Sequence, residues 1–156
     1  MVAIVCILPA CAQEKRKSPH ETISSGDISV TYGRPYKKGR DIFGGLESYG
    51  KVWRLGADEA TEITFKNDGS LGGQPVKAGT YTMFAIPEKD EWTIILNSQL
   101  KQWGAYDYEK NKDKDVLQVK VPAKTVAAPI EQFTIRFEGS NMILEWDKTQ
   151  VAVPVS

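Results

Sequence analysis

Ala78 to Leu96 reads AGTYTMFAIPEKDEWTIIL, and this stretch decides the fold. Ala78-Gly79 is turn chemistry and Pro87 is a stop. Between them Thr80, Tyr81, Met83, Phe84 and Ile86 form an apolar run of strand type. Glu88 to Glu91 is a charged turn, after which Trp92, Ile94 and Leu96 recur at every second position. Two strands joined by a turn are the reading. Working outward, Ile28, Val30 and Tyr32 alternate with Ser29 and Thr31, and Ile63 and Phe65 alternate with Glu62, Thr64 and Lys66. Leu117, Val119 and Val121 repeat the pattern, as do Phe133, Ile135 and Phe137, and Met142–Trp146 and Val151–Val155 complete the series. Gly72-Gly73 and the stretches 139–141 and 147–149 supply turns between runs. Eight or nine short strands predict an all-β fold, an antiparallel β-sandwich or jelly-roll-like barrel. Tyr81, Trp92, Val119, Ile135 and Phe137 are the expected inward-facing positions. No window sustains an i, i+3, i+4 stripe. A turn or two of helix is expected near Ser98–Trp103, and a weaker candidate is Leu46–Tyr49.

The chain of 156 residues balances 20 Lys and Arg against 20 Asp and Glu, and 41% of it is hydrophobic. One domain with a full core fits that length. Zero net charge speaks against a nucleic-acid partner, whose phosphates call for a basic excess. Residues 1–12, MVAIVCILPACA, are uncharged and mostly apolar, and Gln13-Glu14-Lys15-Arg16-Lys17 follows at once. That order is the mark of an export signal. Ala10-Cys11-Ala12 suits ordinary signal peptidase, whereas Leu8-Pro9-Ala10-Cys11 resembles a lipobox that would leave Cys11 acylated. Lipidation is the preferred reading, and such an anchor is the only membrane contact expected. Residues 13–21 read as a polar tether and residues 22–156 as a single β-sandwich domain. Cys6 and Cys11 both lie in the signal, so the body has no disulfide to lean on.

Two stretches break the strand pattern. Residues 33–57 form a long loop rich in Gly, Arg and aromatics, and residues 102–114 read QWGAYDYEKNKDK. Long loops in compact β domains tend to carry function. The first, with the two acidic residues that follow it, gives the sharpest cluster: Arg34, Arg40, Trp53, Arg54, Asp58 and Glu59. Three guanidiniums there would fork a carboxylate, phosphate or sulfated sugar. The competing reading is structural, with Arg34 and Arg54 paired to Asp58, Glu59 or Glu62. Arg40, in the basic stretch Lys37-Lys38-Gly39-Arg40, is the arginine expected to be free. Trp103, with Tyr106 and Tyr108, would stack on a sugar or merely cap the core.

Enzyme templates find little support. His20 is the sole histidine and sits in the polar N-terminal segment. No G-x-S-x-G elbow, H-E-x-x-H motif or Cys/His zinc set occurs in the body. No metal or cofactor is expected, and no catalytic residue is assigned. A carboxylate pair drawn from Asp41, Glu47, Asp58, Glu59 and Glu62 remains open, because all five neighbour the arginines.

Tyr32-Gly33-Arg34-Pro35, Lys38-Gly39-Arg40, Gly44-Gly45-Leu46, YGKVWR at residues 49–54 and GADEAT at residues 56–61 follow one another in a characteristic order. With AGTY at residues 78–81, Ile86-Pro87 and Trp103-Gly104, they resemble an exported bacterial family, the domain of unknown function twenty-nine eleven. Where that family's pattern has G-A-N-E, this chain has Asp58 in place of the Asn. The resemblance implies export and a β fold, and carries no activity with it. The preferred expectation is a non-catalytic envelope protein binding a small anionic or glycan-like ligand through Arg34, Arg40, Trp53, Arg54, Asp58, Glu59 and Trp103. The alternatives are a saccharide-directed hydrolase or lyase with a carboxylate pair, and a structural or partner-binding lipoprotein.

Overall fold

The computed structural model describes residues 16–156, so Cys11 and the stretch 1–12 expected to be an export signal lie outside the described residues. Nine strands run β1 His20–Ser25, β2 Ile28–Gly33, β3 Thr61–Phe65, β4 Gly69–Leu71, β5 Gln74–Val76, β6 Gly79–Pro87, β7 Glu91–Asn97, β8 Asp115–Glu138 and β9 Asn141–Pro154. Seven of them form one antiparallel sheet in the order β1-β2-β3-β6-β7-β8-β9, which curls into a half-barrel. β4 and β5 make a separate small hairpin. The architecture is all-β, as the alternating runs predict.

Alternation buries one face where one face meets the core. In β2, Ile28, Val30 and Tyr32 point inward; in β3, Thr61, Ile63 and Phe65 do. β6 and β7 instead read as nearly continuous apolar runs because both of their faces are covered. Met83, Ala85, Trp92, Ile94 and Leu96 enter the main core. Phe84 and Ile95 pack on the opposite face against Ala60 and Tyr108. Among the expected inward positions Trp92 and Ile135 are fully buried, and Tyr81, Val119 and Phe137 are partly buried against the same core.

Several local expectations differ from the structure. Residues 98–103 are not helical, because Lys101 adopts φ +58° and the Gln99 backbone is bonded by side chains, its N–H donating to Asn97 and its carbonyl accepting from Gln102. Leu46–Tyr49 is likewise an irregular turn. A helical turn, α1, lies at Tyr108–Asn111 and runs into a 3-10 turn at Lys112–Lys114, both inside the stretch read as loop. Near the N-terminus, His20 and Glu21, read as tether, open β1 and pair with Gly33 and Tyr32.

Strand β8 does two jobs. Its first part pairs with β7 as far as Pro122 opposite Glu91, and the rest pairs with β9 through two register shifts. That irregular stretch lets β8 bend and turn its far end back toward the start of the sheet. There the Phe133 N–H donates to the Pro35 carbonyl and the Lys37 N–H to the Glu131 carbonyl. The Tyr32 hydroxyl both accepts the Ile135 N–H and donates to the Glu21 carboxylate. These contacts hold the crossover between β2 and β3, residues 34–60, across the open side of the half-barrel.

Candidate functional site

The crossover is pinned at both ends by glycine. A Cβ on Gly33 would lie 2.3 Å from the Ala57 carbonyl oxygen, and one on Gly56 would lie 2.8 Å from the Gly33 oxygen. The two backbones touch directly, which only glycine permits. Between these ends the chain drops Trp53 into the core, where it bonds Ala85 through both backbone groups and stacks on Trp146 at 6.0 Å. Phe43, Trp92 and Phe133 surround it. Trp53 is therefore a core residue and not a surface platform for ligand.

The three arginines separate by partner. Arg34 donates from Nε to the Phe133 carbonyl at 3.1 Å, from Nη2 to Thr134 at 3.0 Å, and from Nη1 to Glu21 at 3.3 Å. It staples the crossover to β8 and β1. Arg40 is exposed and, among the described residues, its side chain donates only to the Lys37 and Tyr36 carbonyls of its own turn. Arg54 reaches the Asp58 carbonyl at 3.4 Å but no carboxylate among the described residues. An Arg54–Asp58 ion pair is thus absent from the arrangement.

Asp58 and Glu59 turn instead toward the N-terminal segment. Asp58 adopts φ +61°, the left-handed region that Asn and Asp tolerate best, which accounts for either residue serving there. Its side chain is buried and accepts the Lys17 N–H at 3.4 Å. Arg16 grips Glu59 with contacts of 2.7, 3.1 and 3.1 Å. His20, dismissed on sequence grounds, completes the group. Its Nδ1 lies 2.9 Å from the Ser18 carbonyl, which can only accept, so Nδ1 carries the proton. Its Nε2 then faces Glu59 at 3.1 Å and Asp58 at 3.8 Å. Partial burial works to raise the Glu59 carboxyl, but the Arg16 hydrogen bond, a backbone bond and the charges of Arg16 and His20 prevail and hold it below the usual range.

Between this segment and the crossover lies a cleft of about 250 Å³. Lys17, Lys38, Arg40 and Arg54 line it, together with Glu47, Asp58, Tyr36, Leu46 and the edge of Trp146. No carboxylate among the described residues forms an ion pair with any of the four cationic side chains. Glu47 is fixed by a tight turn, its N–H donating to the Ile42 carbonyl at 2.8 Å. Burial pushes its carboxyl up to about 7, against the smaller opposing pull of Arg54 and Arg40. Of the residues expected at a site, Arg40, Arg54 and Asp58 come together here. Arg34, Trp53 and Glu59 stand behind the cleft as supports, and Trp103, bridged to Glu59 through its backbone, lies outside the lining.

Sequence reading missed Lys17, Tyr36 and Trp146 as lining residues, and His20 as the anchor of the N-terminal segment. Only the basic run at 37–40 hinted at Lys38; nothing local marks Trp146, which arrives from β9. Among the described residues no cluster of three His, Cys, Asp or Glu side chains could hold a metal ion.

The structure thus defines a class: a curled antiparallel half-barrel whose long crossover carries a cationic rim cleft. The family described as "Protein of unknown function (DUF2911)" matches residues 14–155, and the chain belongs to it. No curated protein and no solved structure matches the chain.

Proposed function

We propose that this is an exported cell-envelope protein that binds a small anionic, glycan-like ligand in the rim cleft without transforming it. One observation carries the reading: four cationic side chains line one cleft while none is neutralised by an ion pair among the described residues. Arginine forks suit carboxylate or sulfate, and the adjacent Tyr36 ring offers a face for a sugar. The apolar, uncharged stretch 1–12 supports export, and Cys11 supports a lipid anchor. A thermal-shift screen of the chain from Gln13 against sugar acids, phosphosugars and peptidoglycan fragments tests the binding. Acid-bearing ligands should raise the melting temperature; no shift with any of them sinks the reading. Metabolic acyl labelling lost in Cys11→Ala tests the anchor.

A saccharide hydrolase or lyase is the second reading, and one observation favours it. Glu47, a carboxyl that still holds a proton near neutrality, shares the cleft with Asp58, as an acid and base pair would. Release of shortened sugars by the parent chain but not by Glu47→Gln would replace the binding reading with this one.

A further inference from the structure

We propose that the ligand is an acidic oligosaccharide of at least two units, its charged unit among Lys38, Arg40 and Arg54 and its next unit lying on Tyr106. This rests on the reading of the rim cleft as a glycan site, and extends it. The cleft does not end at Glu47 and Arg54. Both residues also line a second, shallower depression of about 330 Å³, closed by Val52, Gly104, Ala105 and Tyr106. The two hollows therefore form one groove with Glu47 and Arg54 at the saddle, in the size range of small-molecule clefts.

Charge is divided unevenly along the groove. Lys17, Lys38 and Arg40 line the first hollow, whereas the second contributes no charged residue beyond the shared saddle. A ligand charged at one end and uncharged beyond it matches that division. Tyr106 supplies the second contact. The residue is 81% exposed, yet a Cβ on Gly104 would lie 2.8 and 2.9 Å from two of its ring carbons. The ring thus lies directly on bare backbone, and Gly104, at φ +63°, leaves room for it. That backbone is itself tied to the crossover, because the Gly104 N–H donates to the Asp58 carbonyl and the Ala60 N–H to that of Gln102. An exposed aromatic ring held in place beside a polar saddle is a preorganised surface for the C–H face of a pyranose.

Titration calorimetry at pH 6 with glucuronic acid and a disaccharide that joins one glucuronic acid unit to one neutral hexose tests the proposal. The disaccharide should bind about tenfold tighter than the monosaccharide, the worth of one added ring contact. Tyr106→Ala should erase that gain and leave monosaccharide affinity unchanged, while Tyr106→Phe should keep it. Equal affinity for the two sugars, or a Tyr106→Ala loss shared by both, overturns the two-unit groove and leaves the rim cleft standing. If neither sugar binds, the proposal fails; a thermal shift with phosphosugars would then show that the cleft still takes anions.

Discussion

At the residue scale the informative group is Glu47. Burial raises its carboxyl to about 7 from an ordinary 4.5, outweighing the opposing pull of Arg54 and Arg40. In the unfolded chain the proton leaves near 4.5, whereas the folded chain keeps it to about 7. Between those values the native state binds more protons, so stability falls as pH rises across that window. Glu47→Gln cannot ionise and should escape this loss. Urea unfolding should therefore show the variant gaining on the parent from pH 4 to pH 8, and parallel profiles would mean Glu47 is not held in this way. Anion affinity should fall in the parent as pH passes 7, and not in the variant. The arginines divide as sharply. Arg34→Ala removes three hydrogen bonds, one to a backbone carbonyl, and leaves Glu21 without its cation; it should cost about 1–3 kcal/mol in denaturant melts. Arg40→Ala removes only contacts within its own exposed turn and should stay within about 0.5 kcal/mol while weakening ligand binding. A reversal of the two would exchange their roles.

Elements show why some of this was legible in the sequence and some was not. β2 and β3 could be read because each buries one face, and a period of two survives in the residues. The continuous strand β8 could not, because Lys124 to Pro129 has no alternation and pairs irregularly. The N-terminal segment could not either, since a run of charged residues reads as tether until its partners are known. Those partners, Asp58 and Glu59, lie some forty residues on and emerge only when β1 pairs beside the crossover. The grip is electrostatic and largely exposed, so its contribution to stability is small, as for surface pairs. Glu59→Gln should hence barely change the melting temperature yet speed tryptic cleavage after Arg16 and Lys17. Unchanged cleavage would mean that His20 and β1 hold the segment without Glu59. Because Lys17 and Ser18 wall the cleft, ligand should slow that same cleavage in the parent chain.

On the scale of the whole molecule, the half-barrel is completed by the crossover and not by further strands. An aromatic in a Gly- and Arg-rich loop looked like a ligand contact, and no local signal could say that Trp53 faces Trp92, Phe133 and Trp146 from three other parts of the chain. The same insertion sets the cleft, which lies where the crossover, the N-terminal segment and the edge of Trp146 meet. Folding of the core and formation of the site are thus one event, and Trp53 links them. Trp53→Ala should cost about 3–5 kcal/mol, the range for emptying a fully buried indole, and should abolish anion binding as the crossover loosens. Trp103→Ala is the matched control: its side chain is 36% exposed and outside the cleft lining, so stability and binding should both change little. Denaturant unfolding of the two variants, read beside ligand thermal shifts, separates the outcomes. If Trp53→Ala is no more destabilising than Trp103→Ala, the crossover is not part of the core, and the cleft must owe its shape to β8 and β9 alone.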